Sequence, residues 1–200
     1  MLRLVIETSG ADCSVALIDN ETIVAERHEH VGRGHAERLI PWIAGLPNGG
    51  RALEIFVGCG PGSFTGVRIA IAAARGLGLG WGVPVRGVSS LALVAAGHYN
   101  GALTVAVEGG HGEIFVQDFA SAPFAEVGPV RSMTPQAAAI AFTNRLVIGS
   151  GAMRLVAARG SGEAVAGEAR AANARLLPET SMMVPPRPVY GRDADARPMA

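Results

Sequence analysis

The chain has 200 residues, 49% of them hydrophobic and 5% aromatic, with a formal net charge of zero at pH 7. That is enough apolar material for two lobes with real cores, and it excludes a disordered chain or one built to coat nucleic acid or an anionic membrane. All seventeen basic residues are arginine, which also excludes Schiff-base chemistry, a lysine general base and a lysine reaching a terminal phosphate.

In chain order, residues 2–8 (LRLVIET), 13–19 (CSVALID) and 22–28 (TIVAERH) are rich in β-branched residues and separated by turn residues, which predicts three strands joined by hairpins. The first apolar run soon meets Glu7 and Asp12, so neither a signal peptide nor a membrane span is expected and a cytoplasmic setting is. The period then changes. From Gly34, Ala36, Leu39, Ile40, Ile43 and Leu46 recur at helical spacing, and 53–59 (LEIFVGC) reads as a strand buried on both faces. A long helix is predicted over 64–82, and Ser89 and Gly97 bound a shorter one. The second half repeats the order: strands over 103–109, 112–119 and 125–133, a helix capped by Thr134 with Pro135 in its first turn, a strand over 145–150 and a short helix. Strand, strand, strand, helix, strand, helix therefore occurs twice, which predicts a duplicated α/β lobe. The division falls at residues 1–98 and 99–200. From Ser161 the chain is rich in alanine and arginine and then proline-broken, and is expected to cross the surface as a helix and an extended segment.

The stretch GCGPGSFTG (58–66) follows a buried strand and opens a helix, where backbone N–H groups and the helix dipole would accept an anion. It matches neither phosphate motif, because Gly66 is followed by Val67 and Arg68, and Ser63 and Thr65 stand where a dinucleotide motif has its last glycine. A tight turn capped by Ser63 or Thr65 is the plainer reading. Glu7, before Thr8 and Ser9, and Glu108 end the first strands of the two halves. They could face one another across a cleft and orient a metal-nucleotide, or be two solvated turn residues. His28 and His30 share a strand face and read as a surface pair. The histidines lack His-Glu-x-x-His spacing, and Ser9, Ser63 and Ser89 lack a base partner. Cys13 and Cys59 are too few for a disulfide framework and fit core strands. The helix from Phe64 is apolar nearly all round, with only Arg68 and Arg75 charged, on one face. Such a helix must be covered on more than one side, either by the helix from Gly34 or by another protein.

The segments LVIETSGADCSVALID, GRGHAERLIPWI, GPGSFTGVRIAIAAARGLGLGWGVPVRGVSSL, VEGGHGEIFV and PVYGRDADA resemble the TsaB family, a subunit of the bacterial machinery that makes N6-threonylcarbamoyladenosine at position 37 of tRNA. The resemblance implies a two-lobed actin-like and Hsp70-like ATPase fold, each lobe a ribonuclease-H-like unit. It implies a non-catalytic subunit that binds a TsaD-like catalytic subunit, works with a TsaE-like ATPase and meets tRNA through the complex, while the sequence leaves both a monomer and a homodimer open for the chain alone. ATP and a metal would belong to the partner or complex, with no cofactor held here. The partner surface would include His35, Leu39, Trp42, Ile43, Phe64, Arg68, Ile69, Ala72 and Arg75. An older glycoprotease label finds no support in these residues. Glu7 stands where the family usually shows aspartate, and the segment between Trp42 and Leu53 is shorter than the family pattern. The rival reading is a free-standing ATPase or small-molecule kinase with Glu7 and Glu108 as metal acids, for which Gly149, Gly151 and Gly160 are the available adenosine-binding glycines.

Overall fold

The computed structural model describes residues 1–98 and 101–190, so the final ten residues of the tail, including GRDADA, lie outside the described residues. The first half contains strands β1 (Leu2–Glu7), β2 (Asp12–Asp19), β3 (Thr22–His30), β4 (Glu54–Gly58) and β5 (Val85–Val88), with helices α1 (His35–Ala44), α2 (Phe64–Trp81) and α3 (Ser90–Ala96). The second contains β6 (Leu103–Gly110), β7 (Glu113–Ser121), β8 (Phe124–Met133), β9 (Leu146–Ile148) and β10 (Glu163–Val165), with α4 (Pro135–Ala141) and α5 (Ala152–Arg159).

The two sheets have the same order, β3-β2-β1-β4-β5 and β8-β7-β6-β9-β10. In each, the first three strands form an antiparallel meander and the last two run parallel to the first. This is the ribonuclease-H-like order in duplicate, with one strand per lobe beyond the expected unit. β5 and β10 are only four and three residues long, too short for a period to register.

Alternation along the strands sorts the core into layers. Leu4 and Ile6 of β1, Val15 and Leu17 of β2, and Ile55 and Val57 of β4 face α1 and α2. Val5, Ala16, Ile18 and Phe56 point the other way, into a cluster shared with every residue of α3 from Leu91 to Ala96 and with Leu103, Val105, Phe119 and Ile148 of the second sheet. α3 is thus buried between the lobes, while α4 and α5 cover the far side of the second sheet. Helix starts are capped as the sequence predicts. Ser63, Ser89 and Thr134 accept hydrogen bonds at 3.3 Å from the N–H groups of Gly66, Ala92 and Ala137.

After Val165 the chain returns to the first lobe. Instead of an α-helix it forms 3-10 turns at Ala171–Leu176 and Glu179–Met182 and then an extended strap. Ala171 N–H donates to Ser14 Oγ (2.9 Å), Gly87 N–H to the Val184 carbonyl (2.7 Å) and Val189 N–H to the Cys59 carbonyl (2.8 Å). In the short segment after α1, a 3-10 turn at Pro47–Gly50 buries Gly50 against Ile43.

The glycines of the turn after β4 are packing requirements. A β-carbon on Gly66 would overlap the Thr8 carbonyl, and one on Gly62 the Ser9 carbonyl. These neighbours are backbone and have little room to yield. Gly66→Ala is expected to destabilise the protein by roughly 1–3 kcal/mol through overpacking. Gly76→Ala, in the same helix with open space at its β-carbon, should stabilise it by about 0.5–1 kcal/mol. Urea unfolding of both variants checks this, and equal effects would show that the contact does not matter.

Candidate functional site

The candidate site grows from the end of β1. Glu7 is 1% exposed, so it is not a solvated turn residue. Its Oε1 accepts the N–H of Ser9, and its Oε2 accepts the Ser90 hydroxyl at 2.6 Å. Ser90 Oγ in turn accepts the Gly60 N–H at 3.1 Å. A β-carbon on Gly58 would fall on the Glu7 carboxyl. Burial pushes the Glu7 pKa above its ordinary value, outweighing the hydrogen bonds from Ser90 and Ser9 that favour the carboxylate. Thr8 Oγ1 donates to the Gly66 carbonyl at 2.7 Å, and Ser63 N–H donates to the Ser9 carbonyl at 2.6 Å. The polar groups of the β1–β2 turn are therefore engaged by the glycine turn and by α3.

Glu108 is elsewhere and differently held. It is half-exposed and bonded to Arg154 at 2.6 Å. The structure does not bring the two glutamates together, and among the described residues no cluster of three potential metal ligands contains either. Gly149 and Gly151 let the start of α5 pack on the Ala106 carbonyl, and Gly160 ends α5 at φ 71°. A cleft of about 620 Å³ lies between the lobes, lined by Cys59, Gly60, Pro61 and Ser89 on one side and Gln117, Phe124, Glu126 and Gly128 on the other, with the strap across it. Neither glutamate of the expected pair lines it. Burial raises both thiols, Cys13 and Cys59, to about 11, which leaves them protonated and unreactive at neutral pH.

The helices distribute their residues in a way the periodicity does not resolve. His35, Leu39, Trp42 and Ile43, assigned from sequence to a partner surface, point into the chain's own core, with Leu39 1% and Trp42 8% exposed. The sheet needs an apolar cover, and this is the most apolar face of α1. The face of α1 left open carries Ala36, Ile40 and Ala44, spaced four apart. On the adjacent α2, Ala72, Gly76, Leu79 and Gly80 are exposed, and Ile69 is half-buried beside them. Arg68 and Arg75 clamp the strap. The Arg68 guanidinium stands 3.6 Å from the centroid of the exposed Phe64 ring and donates to Tyr190 Oη at 3.0 Å, and Arg75 donates to the Pro186 carbonyl at 2.6 Å. Sequence reasoning missed this use of the arginines, which hold the tail at Tyr190 and Pro186.

Two lobes built on the same 3-2-1-4-5 sheet, with a helix buried between them and a cleft at their junction, define a two-lobed protein of the actin-like ATPase fold. The chain belongs to the family described as TsaD, tRNA N6-adenosine threonylcarbamoyltransferase, whose family model matches residues 22–164. Within it the chain is TsaB-like. It is 39% identical over 128 residues to the tRNA threonylcarbamoyladenosine biosynthesis protein TsaB of Escherichia coli, covering 60% of this chain and 55% of that one. It is 31% identical over 122 residues to the protein of the same name from Bacillus subtilis, covering 58% and 53%. The chain spans about half the length of these curated relatives it matches. Among solved structures, YeaZ from Pseudomonas aeruginosa matches with a TM-score of 0.80 and 26% identity over 94% of this chain and 99% of that one. A protein described as similar to peptidase YEAZ, from the same organism, matches with a TM-score of 0.81 and 26% identity over 96% and 99%.

The buried Glu7 gives a pH signature. Its folded pKa is raised, so the folded chain keeps a proton that the unfolded chain releases, and its contribution to stability falls as pH rises from the ordinary 4.5 through the raised value. Glu7→Gln keeps the shape and removes the titration. Its urea midpoint relative to the native chain is expected to rise as pH is taken upward from 4.5 through the raised value. A difference that stays flat, or moves the other way, would refute the raised pKa.

Proposed function

We propose that the chain is a non-catalytic scaffold subunit in the formation of N6-threonylcarbamoyladenosine at position 37 of tRNA, binding and activating a TsaD-like catalytic subunit through the outer faces of α1 and α2. The pathway comes from the names of the Escherichia coli and Bacillus subtilis relatives. The observation that carries the docking surface is the α2 face of Ala72, Gly76, Leu79 and Gly80, with Leu79 87% exposed. Alanine and glycine there let a second helix approach closely, and the open Ala36, Ile40 and Ala44 of α1 widen the strip. ATP, its metal and a TsaE-like ATPase belong on this reading to the partner and the assembled complex, and tRNA is met through the complex. Alone, the same face pairs with a second copy of the chain.

The engagement of the β1–β2 turn supports the non-catalytic reading. The Ser9 N–H and both Glu7 oxygens are turned inward, and the chain offers no lysine to a phosphate. The ATPase alternative lacks a comparable observation, since the interlobe cleft is not lined by the acids it needs.

Sedimentation of the chain with a TsaD-like subunit, with and without ATP, should give a heterodimer that displaces any homodimer. Ala72→Glu places an unpaired charge in the contact, where such a charge costs about 3–5 kcal/mol. It should weaken association by at least roughly a hundredfold while leaving the thermal unfolding of the isolated chain unchanged. Unaltered binding by the folded variant would remove α2 from the interface.

A further inference from the structure

One polar cluster lies away from the glycine turn and from the open helix faces. Asp12 opens β2 and pairs in register with His30 of β3, while His28 stands two residues before it on the same face. Glu168 reaches them from the segment that leaves the second sheet after β10. His28 Nε2 lies 2.8 Å from Glu168 Oε2, and His30 Nδ1 lies 2.9 Å from Asp12 Oδ1. One donor atom each from Asp12, His28 and Glu168 fall within 4.8 Å of one another. The Asp12 and His28 side chains are only 14% and 12% exposed, whereas Glu168 and His30 are open to solvent.

We propose that Asp12, His28, His30 and Glu168 form a binding site for a divalent transition cation of the zinc class, which fastens the β2–β3 hairpin of the first lobe to the segment leaving the second. Two imidazoles and two carboxylates are a donor set suited to zinc, whereas calcium and magnesium call for oxygen alone. Two carboxylates with neutral imidazoles carry a charge of −2, which a divalent cation balances. Arg170, two residues beyond Glu168, is engaged with Glu26 and leaves that balance undisturbed. In a tetrahedral shell with bonds of about 2.1 Å the donors stand about 3.4 Å apart. The donors of Asp12, His28 and Glu168 already lie within 4.8 Å of one another and His30 touches Asp12, and the open Glu168 and His30 are the side chains that would move onto the more fixed Asp12 and His28 to complete the shell. His28 presents Nε2 to the cluster, while its buried Nδ1 has no hydrogen-bond partner, so the ring is held by its Nε2 contact alone. The spacing of His28 and His30 alone reads as a surface pair, because the two carboxylates arrive from β2 and from more than a hundred residues along the chain.

The test uses the full, tag-free chain, stripped with a chelator and titrated with zinc chloride by calorimetry, with Co²⁺ as a spectroscopic probe. The expected result is one equivalent bound and a melting temperature that rises with zinc concentration. His28→Gln and Glu168→Gln should each weaken binding by roughly tenfold or more, and the Co²⁺ spectrum should lack a thiolate charge-transfer band. Glu168 is exposed, so its variant stays informative if the His28 change disturbs folding. Absence of saturable binding, equal affinity in Glu168→Gln, or a thiolate signature from Cys13 or Cys59 would each overturn the site. None of these readouts involves the TsaD-like partner, so the site stands or falls apart from the proposed function.

Discussion

The fold depends on the closure of the glycine turn 58–66 over the end of β1. Glu7, a carboxyl with almost no access to water, sits at the centre of that contact, and Ser9, Ser90 and, through Ser90, Gly60 hold it. An ionisable group so buried persists only when its hydrogen bonds are made. Making them brings together three elements distant in sequence: the β1–β2 turn, the strand-to-helix turn and the start of α3. The glycines follow from this geometry, since Gly58, Gly62 and Gly66 lie against the backbone or carboxyl of residues 7–9 with no room for a side chain. A turn whose composition invites a phosphate is, in this chain, filled by the chain itself.

The second lobe uses the same device in a milder form. The turn from β9 into α5 lies on β6 as the turn from β4 into α2 lies on β1, and Gly149 and Gly151 stand against the Ala106 carbonyl. Here the acid at the end of the first strand, Glu108, remains outside and pairs with Arg154. The duplication is thus one of topology and backbone packing, while the polar chemistry of the two turns has diverged. Among the described residues, buried carboxyls occur in the first lobe alone, and there Ser90, at the start of the helix from the lobe interface, reaches in to hold Glu7.

Much of this was legible in the sequence because the long elements carry clear periods. The antiparallel meanders, the caps at Ser63, Ser89 and Thr134 and the duplicated order all follow from local pattern and capping chemistry. The short strands β5 and β10 did not register, because three or four residues show no period. The faces of α1 were misassigned for a different reason. Its stripe of Leu39, Trp42 and Ile43 is one an amphipathic helix would direct either to its own sheet or to a partner, and the sheet has first claim on it. The burial of Glu7 and the grouping of Asp12, His28 and Glu168 arise only from tertiary folding, so no spacing could reveal them. The resemblance to TsaB pointed to the family and the fold, and only the structure shows which residues of α1 and α2 remain open.

The return of the chain after Val165 bears on how the lobes move. Glu168 meets His28, Arg170 meets Glu26, Ala171 meets Ser14, and farther on the strap is held by Arg75 and, at Tyr190, by Arg68 and Phe64. α3 meanwhile contributes apolar residues to a core that both sheets share. A hinge that closes on a ligand needs a few residues free to change conformation and an interface that can slide. Here the lobes share a continuous close-packed interior, which resists small displacements, and a second covalent crossing ties the far edge of the first sheet to the second lobe. On the proposed reading, a surface of alanine and glycine on α2 serves a partner best when its shape is constant, because close helix approach tolerates little variation in backbone position. The shared core at the lobe junction and the composition of α2 therefore both fit the docking face proposed for the outer helices.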